Sequence, residues 1–261
     1  MEKEKKDLLI IIPAHNEEEC INKFLEQLER NGVSDIADIL VIDDGSSDRT
    51  HYIVASKKYT MVTHVYNMGY GAALMTGYKY AIRRDYKYVI QIDADGQHDP
   101  CNIFSIYRKL QEPDENGECP DIVLGSRFLE GGHSFHISGV KKIAIAAFRK
   151  LIHISTGVKI TDPTTGLQGL SRRAVLYYSI YSNFDPKYPD ANMLIQTMLL
   201  KYRVEEIPAI MHSRESGTSM HHGLGPVIYM AHMFFSICAI WIRTRVMKID
   251  TKPVPRNEAA Q

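Results

Sequence analysis

Short apolar runs alternate with amphipathic segments along the first two thirds of the chain. Residues 8–12 form a continuous aliphatic run, which is typical of a strand buried on both faces. Residues 17–30 follow with apolar side chains at helical spacing. The same criteria, applied along the whole chain, predict strands at 8–12, 39–42, 61–65, 88–92, 122–124 and 204–207. They predict helices at 17–30, 48–58, 71–84, 100–110, 138–154, 191–202 and 227–242. The alternating β-α order predicts an α/β fold with a mostly parallel sheet and helices on both faces.

The last of these helices is strongly apolar and is followed by Arg243 and Arg245. It is shorter than the ~20 residues that a membrane-spanning helix needs. Trp241 beside arginine side chains favours a helix that lies in a membrane interface. A core helix that closes the sheet explains the same pattern, and both interpretations stay open.

Composition narrows the class of protein. The 261 residues carry 31 Lys and Arg against 31 Asp and Glu, and this zero net charge argues against a dedicated nucleic-acid binder. A hydrophobic content of 44% excludes a disordered chain. The four cysteines lie far apart with no CxxC, which indicates reduced thiols in a cytosolic protein. The charged N-terminus leads directly into the first strand, so we expect no signal peptide.

Two carboxylates follow the fourth predicted strand. Asp93 and Asp95 are spaced i, i+2, so they can converge on one divalent cation. Hard oxygen ligands favour Mg²⁺ or Mn²⁺, and these ions can bridge substrate phosphates. Asp is common in ordinary turns, but the longer motif DADGQHDP is less expected by chance, and Gln97 offers a further oxygen.

Polar clusters also end the first two strands. Asp43 and Asp44 can accept hydrogen bonds from a ribose or from a base N–H, or they can form a simple Asx turn and helix cap. Pro13 is expected to stop the first strand, which leaves Asn16 and Glu17 to face a ligand.

A glycine-rich turn, NMGYG at 67–71, follows the third predicted strand. It invites comparison with the dinucleotide-binding fingerprint GxGxxG, but Leu74 stands where the third glycine belongs. The turn also does not open the chain, which argues against a nicotinamide dehydrogenase. A backbone close to some other nucleotide, near Asn67 and Gly71, fits the same residues.

The motifs PAHNEE, DDGSSD, NMGYGAALMTG and DADGQHDP occur in this order and resemble the nucleotide-sugar domain of family 2 glycosyltransferases with the GT-A fold. The likeness is strongest to dolichyl- or polyprenyl-phosphate mannosyl- and glucosyltransferases. GSR at 125–127, DPTTGLQGLSRR at 162–173 and HSRESGTSM at 212–220 extend it to about residues 8–222. The resemblance implies a catalytic GT-A domain at 1–222, and a membrane-proximal apolar helix with a polar tail at 223–261.

The resemblance also implies the roles of individual residues. The implied nucleotide-sugar site comprises Pro13, Asn16, Glu17, Asp43, Asp44, Asn67, Gly71, Asp93 and Ala94. Asp93, Asp95 and Gln97 would hold Mg²⁺ or Mn²⁺ and the diphosphate. Arg127 and Arg214 match positively charged positions at the phosphates of donor or acceptor.

The stretch YPDAN at 188–192 departs from the family pattern. Many members that act on hydroxyl acceptors carry a Glu-Asp pair whose Asp is the general base, and this pair is absent here. Asp190 is the nearest base candidate, although it can equally be a helix cap. A phosphate acceptor is already ionised and needs cations more than a base. Lys141, Lys142 or Arg149 could supply that charge, or they could form a solvated helix face.

The resemblance, together with these patterns, implies a peripheral enzyme on the cytoplasmic side of a membrane. It would transfer a sugar, with inversion, from a UDP- or GDP-sugar to a polyprenyl phosphate of the undecaprenyl or dolichyl type. The absence of long apolar helices leaves room for a small membrane-protein partner. Two alternatives stay open: transfer to a saccharide hydroxyl in cell-wall or surface polysaccharide synthesis, and a non-catalytic nucleotide-sugar binding protein.

Overall fold

The computed structural model describes residues 6–132, 139–213, 225–247 and 253–256. Within these ranges one sheet has the strand order β3-β2-β1-β4-β6-β5-β7. Its strands are β1 (Leu8–Ala14), β2 (Ala37–Asp43), β3 (Thr60–Thr63), β4 (Tyr88–Gln91), β5 (Ile122–Ser126), β6 (Gln168–Ser171) and β7 (Val204–Pro208). β6 runs antiparallel to both of its neighbours, and the other pairs are parallel. The predicted mostly parallel α/β sheet is therefore confirmed.

Helices cover both faces of this sheet. They are α1 (Ile21–Arg30), α2 (Val33–Ile36), α3 (Thr50–Ser56), α4 (Tyr70–Arg83), α5 (Cys101–Leu110), α6 (Gly139–Thr156), α7 (Arg172–Tyr178), α8 (Ala191–Leu199) and α9 (Gly225–Trp241), which a short π-helical turn, Ile242–Val246, extends. Alternate residues of β1 enter two separate cores: Ile11 packs under α4, and Ile10 packs under α1 and α5. This explains why β1 is apolar at every position.

Three local features differ from the sequence-based expectation. Pro13 does not stop the first strand, because β1 continues through it to Ala14 and pairs Pro13 with Ile42 of β2. β6 and α7 were not expected, since the segment GLQGLSRR has mixed polarity and two glycines. Gly169 in β6 is needed for packing, because a Cβ there would collide with the side chain of Ile106 on α5.

Helix α9 has two apolar faces. Met233, Ile237 and Ile240 are buried against the core, as the core-helix interpretation requires. Phe234 and Phe235 are 54% and 70% exposed, so the opposite face remains apolar and open. In the described part of the chain, none of the helices is both long and apolar enough to cross a bilayer.

Candidate active site

Asp93 and Asp95 follow β4 at the edge of the sheet where β1, β2 and β4 end. The hydroxyl of Tyr70, at the start of α4, donates a hydrogen bond of 3.0 Å to Oδ1 of Asp93. Gly166 packs directly against the same carboxylate, and any side chain at Gly166 would collide with it. Asp95 accepts a 3.0 Å hydrogen bond from the backbone N–H of Gln97. The two carboxylates are thus held by the loop that bears them and by α4.

The electrostatics of this pair favour a cation. Burial, and then the charge of Asp95, raises the pKa of Asp93 to about 7, and Asp190 and Glu17 add to the effect. A divalent cation would relieve this repulsion, so the residues present fit a metal. Among the described residues, no cluster of three or more His, Cys, Asp or Glu side chains forms a preassembled metal site. Further ligands would therefore come from a bound diphosphate, from water or from Gln97, whose side chain now reaches the carbonyl of His212 at 3.4 Å.

The structure places Asp43 and Asp44 differently from the expected nucleotide contact. Asp44 is 3% exposed, and its carboxylate accepts hydrogen bonds from the N–H groups of Met68 and Gly69, each at 2.8 Å. The ring of His64 completes the set at 2.7 Å. Asp43 is also buried and accepts from the N–H of Ser46 at 3.0 Å. These carboxylates position loops, and contact of Asp44 with the nucleotide stays a prediction.

Asn16 and Glu17 lie at the same edge and remain candidates for nucleotide contact. Asn16 is exposed, has the left-handed φ of 55°, and accepts a 2.8 Å hydrogen bond from the N–H of Ser47. The charge of Glu17 contributes to the raised pKa of Asp93, which places the two groups near each other. Pro13 and Ala94 are buried, and their place in the nucleotide-sugar site stays a prediction.

Asn67 lies in the loop that Asp44 supports, and Gly71 lies in the first turn of α4 directly after it. Asn67 is exposed at the surface of this loop. A Cβ on Gly71 would come within 2.5 Å of the carbonyl oxygen of Asp185. Glycine at 71 is therefore needed for the close approach of α4 to the loop at 185–186.

Arg127 is engaged in a buried ion pair. Its Nε and one Nη each donate 2.6 Å hydrogen bonds to Asp162, whose side chain is fully buried. Arg149 of α6 donates from Nε to the carbonyl of Thr161 at 2.6 Å and lies over the ring of Phe128. Two guanidinium groups therefore flank the loop at 161–165, and the main described partner of Arg127 is a carboxylate of the chain itself.

Asp190 is not the helix cap that the sequence allowed. It stands before α8, but its side chain makes no capping hydrogen bond. Its carboxylate accepts a 2.8 Å hydrogen bond from the hydroxyl of Tyr229 on α9. Burial raises the pKa of Asp190 to about 6. Of the other expected residues, Arg214 lies outside the described residues, and so does the side chain of Lys141, whereas Lys142 is exposed.

Sequence reasoning missed three residues at this site. Tyr70 and Gly166 hold Asp93, and both lie inside motifs that were singled out, NMGYG and DPTTGLQG. Tyr229 lies in α9, where an apolar pattern hid its contact with Asp190. A polar hydroxyl within an apolar helix was the available signal, because a buried polar group needs a partner.

Comparisons with known proteins bear on the family and the fold of this chain. The model of the family described as "Glycosyl transferase family 2" matches residues 9–177. The chain is 28% identical to a UDP-N-acetylglucosamine–dolichyl-phosphate N-acetylglucosaminyltransferase of Methanococcus voltae, over 65% of this chain and 71% of that protein. It is 28% identical to an undecaprenyl-phosphate mannosyltransferase of Micrococcus luteus, over 83% and 88% of the two chains. The fold matches glucosyl-3-phosphoglycerate synthase of Mycobacterium tuberculosis, solved with Mn²⁺, UDP-glucose and phosphoglyceric acid, with a TM-score of 0.64 at 17% identity, covering 88% and 79% of the chains.

Replacing Arg127 by Ala should cost about 3–5 kcal/mol of unfolding free energy, because Asp162 would be left as a buried, unpaired charge. Urea denaturation measures this loss. Arg30→Ala is the control, since Arg30 forms an exposed pair with Glu26 within α1 and its removal should leave the midpoint unchanged. Equal midpoints for the two variants would contradict a structural role for Arg127.

Proposed function

The chain belongs to glycosyl transferase family 2, and on that premise we propose that it transfers a sugar from a nucleoside-diphosphate sugar to a polyprenyl phosphate. The observation that carries the donor half is the Asp93–Asp95 pair, which is held at the sheet edge with the pKa of Asp93 raised to about 7. The acceptor half is supported by two relatives whose names specify dolichyl phosphate and undecaprenyl phosphate.

The donor diphosphate would lie over the ends of β1, β2 and β4. Asp93, Asp95 and Gln97 are the residues that would hold Mg²⁺ or Mn²⁺ there. When bound, such a cation neutralises the negative charge that develops on the leaving nucleoside diphosphate. Asn16 and Glu17 stand at the same edge and are placed to contact the ribose or base of a UDP- or GDP-sugar.

The sugar would move by in-line displacement. An acceptor oxygen attacks the anomeric carbon as the bond from that carbon to the diphosphate oxygen breaks, so the configuration inverts. The phosphate of the acceptor would bring a second negative charge near the donor diphosphate, so cations from the chain would have to hold it. Arg149 at the 161–165 loop, and Arg214 by its resemblance to family positions, are the proposed groups.

A lipid acceptor requires contact with a lipid surface. Phe234, Phe235 and Trp241 present a largely exposed aromatic face on α9. Lys142 and Lys150 on α6 are exposed as well, and exposed lysines and aromatic side chains are both features of proteins that bind an anionic lipid interface. These exposed residues support a place at the periphery of a membrane, and we propose its cytoplasmic side as the location.

One observation favours a second candidate, transfer to a saccharide hydroxyl. Asp190 does not cap α8, and its pKa is raised to about 6, which suits a general base. A hydroxyl must lose its proton as it attacks, so that reaction would depend on Asp190.

The metal assignment predicts that Asp95→Ala abolishes transfer and metal-dependent donor binding, because one carboxylate cannot hold the cation against the diphosphate. Calorimetric titration of UDP with and without Mn²⁺ measures the binding, and a transfer assay measures turnover. Asp35→Ala, an exposed acidic residue on α2, is the control and should behave as wild type. Near-normal turnover of Asp95→Ala in EDTA would overturn the assignment.

Asp190→Asn and Arg214→Ala separate the two acceptors. At pH 8 a phosphate monoester is a dianion, since its second pKa is about 6, so Asp190→Asn should barely slow single-turnover transfer to polyprenyl phosphate. Arg214→Ala should slow it by about 100-fold, the usual effect of removing one preorganised group that stabilises charge. With a hydroxyl acceptor the order reverses. A silent Arg214→Ala beside an inactive Asp190→Asn would overturn the phosphate acceptor.

The lipid-surface proposal predicts that the double variant Phe234→Ser, Phe235→Ser binds anionic vesicles at least about tenfold more weakly, because each buried Phe contributes about 1.5–3 kcal/mol. Co-sedimentation with vesicles measures the partition. Both side chains are more than half exposed, so the fold should persist. Phe104→Ser on α5, which packs on the other face of the sheet, is the control, and an equal loss for that variant would contradict the proposal.

A further inference from the structure

Tyr70 contacts the carboxylate that the proposed function assigns to the metal. Its hydroxyl donates a 3.0 Å hydrogen bond to Oδ1 of Asp93. The hydroxyl of tyrosine donates one hydrogen bond, and an ionised carboxylate oxygen accepts it. A hydrogen bond to a metal-ligating carboxylate fixes the direction in which its oxygens point.

Asp44 determines where Tyr70 lies. The Asp44 carboxylate accepts the N–H groups of Met68 and Gly69, the two residues that precede Tyr70. His64 holds the carboxylate from the side, with its other ring nitrogen 2.9 Å from the hydroxyl of Thr76 on α4. The buried carboxylate of Asp44, directly after β2, therefore fixes the backbone that leads into α4.

Two glycines constrain the conformation and the packing of this backbone. Gly69 has φ 99° and ψ 158°, a conformation that is essentially restricted to glycine, and it turns the chain into α4 at Tyr70. Gly71 lies so close to the carbonyl of Asp185 that a Cβ would collide with it. The first turn of α4 is thus packed on both sides, and the Tyr70 ring cannot shift without moving the helix.

The carboxylate itself is confined from the opposite side. Gly166 approaches the Asp93 carboxylate so closely that no side chain fits between them. Asp93 therefore lies between the backbone at 166 and the Tyr70 hydroxyl. With the hydroxyl removed, the carboxylate would be free to turn away from the position of the cation.

We propose that Tyr70 is a positioning residue for the metal-binding carboxylate Asp93, and that Asp44 acts through it by fixing the backbone at 68–69. This inference rests on the proposed function, because it assumes that Asp93 binds the cation. It assigns Asp44, expected from the sequence to contact the nucleotide, an indirect role in metal binding.

Mn²⁺ affinity in the presence of UDP, measured by electron paramagnetic resonance on the full chain, tests the inference independently of turnover. Tyr70→Phe removes only the hydroxyl and should weaken Mn²⁺ binding by about tenfold or more, as loss of such a contact typically does. Tyr66→Phe is the matched control from the same loop, since Tyr66 is 68% exposed, and its Mn²⁺ affinity should equal wild type.

A double-mutant cycle tests the part played by Asp44. Asp44→Asn should also weaken Mn²⁺ binding, and combining it with Tyr70→Phe should add little, because both act on one contact. Additive losses would overturn the indirect role of Asp44.

Thermal unfolding of each variant accompanies the binding data. A lower melting temperature with unchanged Mn²⁺ affinity for Tyr70→Phe would show a merely structural role and overturn the inference. Wild-type protein that binds no Mn²⁺ with UDP would overturn the metal site and this inference together. Wild-type binding with an unaffected Tyr70→Phe would overturn the inference alone.

Discussion

Carboxylates crowd one edge of the sheet, and much of the surrounding structure serves to compensate them. Parallel strands end at the same edge, so acidic residues that follow different strands meet there. A buried carboxylate is costly unless donors or cations surround it. The carboxylate of Asp44 accepts hydrogen bonds from two backbone N–H groups and contacts the ring of His64, and Asp162 forms an ion pair with Arg127. Asp93 has the hydroxyl of Tyr70 and a raised pKa, which is the condition in which a bound cation stabilises the site.

At this edge of the sheet, backbone segments of different elements also lie very close to their neighbours. Gly71 lets α4 approach the 185–186 loop, and Gly166 lets the loop after Asp162 lie against Asp93. Gly77, further along α4, lies against Ile11 of β1 so closely that a Cβ would come within 2.6 Å of that side chain. These glycines bring secondary-structure elements together at a distance that no side chain would permit, and Tyr70 reaches Asp93 as a result.

Helix α9 connects this edge to a different environment. On one side Tyr229 bonds to Asp190, and Ser236 accepts a 3.0 Å hydrogen bond from Asn192, so the few polar groups of an apolar helix meet the start of α8. On the other side of the helix, the side chains of Phe234 and Phe235 are exposed. One helix thus both contacts Asp190, the candidate base, and carries the surface proposed to meet lipid.

The sequence by itself determined the sheet class, most elements, the family and the Asp93–Asp95 pair, because hydrophobic period and motif spacing are local properties of the chain. β6 was not predicted, since a four-residue strand of mixed polarity that contains Gly169 has no clear period. The sequence also did not predict the partners of buried polar groups. Arg127 meets Asp162 across 35 positions, and Tyr70 meets Asp93 across 23. Only the tertiary structure decided those pairings, because which donor reaches a buried carboxylate depends on how separate elements pack, and no local pattern encodes that.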